Sequence, residues 1–108
     1  IGLHRAKELV FLAEVIDAVE ADRIGLVNRV IPDAELDTYV DDIVERTAAG
    51  PPLSLSLSKA LLNNGTISSM SQALEAEGSA QASNFSTEDV REAGLAWAEK
   101  RPAKFIGR

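Results

Sequence analysis

The residues best placed for chemistry stand at the end of the chain, in "AWAEKRPAKFIGR", where Trp97, Lys100, Arg101, Lys104 and Arg108 close an otherwise acidic protein of net charge −6. Cations gathered in one short stretch of an acidic chain could hold a small, local anion. A structural alternative competes with it, because cations in a last helical turn also complement the helix dipole. The other candidates are weaker. Ser56-Leu57-Ser58-Lys59 matches the S-x-x-K of serine acylases, but the companion S-D-N and K-T-G elements are absent. The single histidine, His4, has neither a cysteine nor a second histidine with which to form a metal site, and no nucleophile signature stands near it. The acids Asp33, Glu35, Asp37, Asp41, Asp42 and Glu45 read as the solvated side of a helix, because cation sites need convergent loop oxygens.

Composition narrows the field. With 108 residues, 45% apolar, the chain can hold one modest core. Without cysteine it has no disulfides or thiolate metal sites, and its apolar runs are far shorter than a bilayer span. The acidic balance argues against a nucleic-acid binder, which needs clustered cations over a broad face. No P-loop or Gly-rich dinucleotide fingerprint occurs. The start "IGLHRAKELVFL" carries neither initiator methionine nor signal-peptide order, so the expectation is a cytoplasmic fragment. The sequons at Asn64 and Asn84 stand without any other secretory feature.

The elements that must position the tail follow from periodicity. Leu3, Ala6, Leu9 and Val10 form a helical stripe. Val15-Ile16 and Val27 to Ile31 read as two short strands around an acidic helical turn closed by Gly25, and they could pair as a ribbon. After Pro32, Asp33 can cap a helix whose Leu36, Val40, Ile43, Val44 and Thr47 share a face, with Gly50-Pro51 as its stop. "LSLSLSKALLNNG" fits both a strand and a helix; its length and the Pro51-Pro52 start favour helix. An Ala-rich helix should follow a Ser69/Gln72 capping pair, with Gly78 as a weak point. The last helix should start from a Ser86/Asp89 pair, carry Val90, Gly94, Trp97 and Arg101 on one face, and end after Arg101 at Pro102. The expected fold is mainly α, five or six helices plus a small two-stranded β element.

Four segments in order, "IGLHRAKELVFL", "IDAVEADRIGLVNRVIPDAEL", "AAGPPLSLSLSKALLN" and "STEDVREAGLAWAEKRPAKFIGR", resemble the C-terminal third of the enoyl-CoA hydratase/isomerase (crotonase) family. The resemblance covers essentially the whole chain. It implies a crotonase-like α/β enzyme in which residues 1–31 end the spiral βα core and residues 32–108 form the C-terminal helical trimerisation region, assembled as homotrimers or as hexamers. The implied substrate is an acyl-CoA thioester, hydrated at a 2,3 double bond without a separate cofactor or metal. The oxyanion hole and carboxylates that the family uses would lie upstream of Ile1, so no catalytic residue is carried onto this chain. The family's last helix implies a CoA contact to a neighbouring subunit, and the matching positions are Trp97 and Lys100. Two departures affect that match: the family more often has Phe where Trp97 stands, and an "EG" pair where Glu92-Ala93 stands. Lys104, Phe105 and Arg108 are secondary candidates, with Phe105 expected to pin the tail to a neighbouring surface. The competing class is a free-standing helical self-association module without activity.

Overall fold

The structure, a computed structural model, describes residues 1–108 and contains six helices and no strand. They are α1 (Leu3–Leu12), α2 (Ala18–Arg23), α3 (Asp33–Ala48), α4 (Pro52–Gly65), α5 (Met70–Phe85) and α6 (Glu88–Glu99). The chain divides into two compact units, Ile1–Asp41 and Asp42–Arg108, with the division inside α3.

In the first unit, α1 ends where Ala13 turns left-handed (φ 49°) and donates its N–H to the Leu9 carbonyl at 3.1 Å. Asp17 caps α2 by accepting from the Glu20 N–H at 2.8 Å, and Gly25 (φ 75°) turns the chain after it. Here Ala21 and Ile24 are buried. The expected β ribbon does not form: Val15-Ile16 and Val27 to Ile31 carry no strand pairing. The reason is physical. A two-residue patch offers too few ladder bonds to hold a lone ribbon, and after Gly25 the Leu26 and Val27 N–H groups both turn back to the Ala21 carbonyl. β-Branched composition expressed a preference for extended backbone and supplied no partner for it.

Helix α3 begins at Asp33, with the Glu35 N–H donating to the Pro32 carbonyl at 2.8 Å, and its acids lie exposed as the pattern predicts. In the second unit, α4 and α5 pack as an antiparallel pair, with the Ser54 hydroxyl donating to the Asn84 side-chain oxygen at 2.6 Å across the start of one and the end of the other. Leu53, Leu57 and Leu61 are half-buried at helical spacing, which settles the "LSLSLS" ambiguity in favour of helix. Ser69 and Gln72 form the expected capping box: the Gln72 N–H donates to the Ser69 hydroxyl (3.3 Å) and the Ser69 N–H to Gln72 Oε1 (3.0 Å). Helix α5 runs unbroken through Gly78.

Large apolar side chains stay exposed on every helix, among them Phe11, Val40, Leu62, Met70, Phe85 and Trp97. The accessible surface is 8915 Å². Two separately compact units of these sizes would expose about 7,000 Å². The chain therefore exposes more surface than two such units would, and the apolar side chains named above are part of it.

Candidate functional site: the last helix and its returning tail

Three expectations for α6 need correction. Its N-cap is Thr87, whose hydroxyl accepts from the Val90 N–H at 3.2 Å; Ser86 instead closes α5 and donates to the Ser83 carbonyl at 2.7 Å. Asp89 is no capping partner. The helix also ends at Glu99, before Arg101, because Lys100 adopts the left-handed conformation (φ 54°). The Lys100 N–H donates to the Trp97 carbonyl (3.3 Å) and the Arg101 N–H to that of Ala96 (3.0 Å). This is a Schellman closure with lysine where glycine would sit at lower cost.

From Lys100 the chain doubles back along α6, held by two helix carboxylates spaced i, i+3. Glu92 receives both guanidinium arms of Arg101, at 2.5 and 2.9 Å, and the Lys104 N–H at 2.9 Å. Asp89, only 3% exposed, accepts from the N–H groups of Ile106 (2.7 Å) and Gly107 (2.9 Å). At the far end the main-chain oxygen of Arg108 accepts from the Glu88 N–H (2.7 Å) and the Asp89 N–H (3.2 Å). Two donors orphaned at the helix start are satisfied by the returning chain. Gly107 (φ 80°) makes the last bend, beside Pro52 of α4. The geometry fits: a twelve-residue helix is about 18 Å long, and eight extended residues span about 29 Å at most.

The electrostatics sort the tail's cations. Arg101 is engaged by Glu92 and by Glu99 (2.6 Å), and Arg108 lies 3.8 Å from Glu88. Hydrogen bonds from Arg101, then the Lys104 N–H, hold the Glu92 carboxyl down to about 2, while the Glu92 and Glu99 bonds raise the Arg101 guanidinium. Lys100 and Lys104 enter none of the chain's ion pairs. Trp97 is 85% exposed, so its face of α6 is not a covered core face. Trp97 lies in the last turn of α6 and Lys100 just beyond its end, and both are open to solvent. Phe105 is half-buried. A shallow groove between α6 and the tail is lined by Arg91, Leu95, Lys104 and Ile106 and does not reach Trp97 or Lys100.

Asp89 and Glu92 as tail anchors are what sequence reasoning missed. The available signal was slight: two acids at i, i+3, then a basic segment beyond a proline, long enough to return along the helix.

Elsewhere no reactive constellation forms. His4 is exposed on α1, Ser56, Ser58 and Lys59 are exposed on α4, and no group of acids or His converges as metal ligands. No helix is long and apolar enough to cross a membrane. In the first unit, Arg23 grips Glu20 in a two-armed ion pair (2.5 and 2.6 Å) that lowers the Glu20 carboxyl pKa.

The chain is all-helical, leaves apolar side chains open on its helices, and carries an exposed indole and an exposed ammonium at a braced helix end. In comparison with known proteins, residues 1–108 match the family model described as enoyl-CoA hydratase/isomerase. The chain belongs to the enoyl-CoA hydratase/isomerase (crotonase) family. It is 40% identical over 108 residues to the crotonyl-CoA hydratase of Syntrophomonas wolfei, covering 100% of this chain and 42% of that protein. It is 40% identical over 101 residues to a short-chain-enoyl-CoA hydratase of Clostridium acetobutylicum, covering 94% and 39%. Among solved structures, the enoyl-CoA hydratase of Bacillus anthracis superposes with a TM-score of 0.95 at 33% identity, over 100% of this chain and 42% of that one. The chain spans about two-fifths of the length of these relatives.

Proposed function

We propose that this chain is the C-terminal part of an enoyl-CoA hydratase/isomerase-like enzyme that adds water across the 2,3 double bond of a 2-enoyl-CoA, and that Lys100 and Trp97 contact the CoA held by a neighbouring subunit. The reacting groups, an oxyanion hole of backbone N–H donors and the carboxylates that move protons, belong on this reading to a segment upstream of Ile1. Such donors stabilise the enolate as charge develops, and a carboxylate nearby handles water and the α proton. No residue of this chain is catalytic, and no cofactor beyond the CoA thioester substrate is required. Residues 1–31 would end the spiral core, residues 32–108 would form the oligomerisation region of a trimer or hexamer, and the enzyme would work in the cytoplasm.

One observation carries the assignment of Lys100. A lysine occupies a left-handed cap that glycine fills with less strain, and its ammonium has no carboxylate partner, whereas the adjacent Arg101 is engaged on both sides. A strained position held by its surroundings is a mark of functional placement. The open indole of Trp97 supplies the flat surface an adenine stacks on, and the cation supplies the charge its phosphates attract. The uncovered apolar surface supports assembly.

The test is made on the protein expressed from its complete coding frame, assayed on crotonyl-CoA and longer enoyl-CoA esters, with residues 1–108 as control. Lys100→Glu is expected to weaken CoA-ester binding while the assembled mass stays the same. Unchanged affinity removes Lys100 from the site, and hydratase activity in residues 1–108 alone overturns the account. A monomeric mass for the intact protein would favour the self-contained module instead.

A further inference from the structure

We propose that Glu92 is the positioning residue for Lys100: it touches no substrate, but by anchoring the chain just beyond the helix end it fixes where the lysine ammonium stands. The inference rests on the proposed contact between Lys100 and CoA and deepens it. Lys100 lies between two restraints. On one side the Lys100 and Arg101 N–H groups close onto the Trp97 and Ala96 carbonyls of α6. On the other, the Arg101 side chain and the Lys104 N–H converge on the single carboxylate of Glu92, making three bonds of 2.5 to 2.9 Å. A non-glycine residue at φ 54° relaxes toward the right-handed or extended regions once its neighbours are released, and that relaxation swings the Cα–Cβ bond to a new direction. Loss of Glu92 removes the second restraint and leaves Lys100 held only by the backbone closure onto Trp97 and Ala96. Asp89 holds only the distal tail at Ile106 and Gly107, and Glu99 binds Arg101 from a residue adjoining Lys100 itself. Among side chains, Glu92 is the one that ties the segment just past Lys100 back to the middle of α6. A long flexible side chain on an unbraced backbone would reach the same phosphate less often, so the braced one binds with less ordering cost.

The experiment compares Glu92→Ala, Glu92→Gln, Lys100→Ala and the double variant Glu92→Ala/Lys100→Ala in the intact protein. Each is assayed for kcat and KM on crotonyl-CoA and on crotonyl-pantetheine, which lacks the phosphorylated nucleotide. Lys100→Ala is expected to raise KM for crotonyl-CoA about tenfold. Glu92→Ala should raise it about fivefold, with kcat changed less than about twofold and KM for crotonyl-pantetheine also within about twofold. The double variant should be no worse than Lys100→Ala, since a positioning residue has nothing left to position. Glu92→Gln keeps one acceptor and should fall between wild type and Glu92→Ala. Hydrogen exchange at the Lys104 amide reports the tether directly and separates its release from general unfolding. If the two single effects multiply in the double variant, or if Glu92→Ala leaves KM unchanged while Lys100→Ala raises it, the positioning role is wrong and the Lys100 contact stands. If Lys100→Ala leaves KM unchanged although Glu92→Ala speeds exchange at Lys104, the contact itself is wrong and the positioning role falls with it.

Discussion

Asp89 is the buried carboxylate that seats the far end of the tail, and its removal should free that end without unfolding α6. Its two bonds run from the Ile106 and Gly107 N–H groups at 2.7 and 2.9 Å, and the residue is 3% exposed. A hydrogen bond to a charged group contributes about 1.5 kcal/mol net, so the pair is worth about 3 kcal/mol when both donors stay buried and unpaired afterwards. They need not stay buried. The tail can lift and let water satisfy both groups, which reduces the expected cost of Asp89→Ala to about 2 kcal/mol. That corresponds to amide exchange about 30-fold faster at Ile106 and Gly107. Asp89→Asn retains one carbonyl acceptor but turns an N–H donor toward the other tail amide, so about half that cost is expected. Exchange at amides in the middle of α6 should change little, because Thr87 still caps the helix. Equal exchange at Ile106 and Gly107 in wild type and Asp89→Ala would refute the claim that this carboxylate holds the tail.

Three further outcomes follow from the same geometry. The Glu92 carboxyl sits at about 2 against an ordinary 4.5. A depressed acid stabilises the fold above its ordinary value, and that stabilisation is lost as pH falls toward the folded one. The Lys104 amide resonance should therefore keep its position down to about pH 4.5 and move as pH approaches about 2; a shift centred near 4.5 would mean that the carboxylate is unbonded. Thr87→Ala should cost about 1 kcal/mol by urea unfolding and Ser86→Ala less than about 0.5, the reverse of what the sequence pattern favours. Gly107→Ala should destabilise the tail by about 1 kcal/mol because φ 80° penalises a Cβ, whereas Ala13→Gly, at φ 49°, should be neutral or stabilising by up to about 1 kcal/mol; thermal unfolding checks both.

The helices were legible in the sequence wherever a cap or a stop is a local event. Ser69 and Gln72 are three residues apart and their side chains bond each other's backbone N–H, so their pattern reads directly as structure. The apolar period of "PLSLSLSKALL" likewise settles on helix once Leu53, Leu57 and Leu61 find α5. Three kinds of feature escaped. The β-branched patches at Val15 and Val27 to Ile31 showed a preference for extended backbone, but a ladder needs a partner, and composition names none. The anchoring of the tail escaped because it depends on Lys100 turning left-handed, an unfavourable choice for lysine that no local propensity forecasts. Once that turn is made, Arg101 is carried back to Glu92, nine residues earlier. The exposure of Trp97 and Lys100 could not be read either, since a helical face looks the same in sequence whether it is covered or open.

The returning tail also bears on when this surface forms. Its bonds join residues 9 to 20 apart in the chain, short separations by the standard of tertiary structure. Loops of that size close in about 10–100 ns, and local closure of this kind carries little of the entropic delay that slows long-range pairing. Helix α6 and its tail can therefore assemble on their own. Under the proposed assembly, a surface braced in advance leaves association to a docking of ready parts, so the rate of joining would be set by encounter and not by the ordering of this segment.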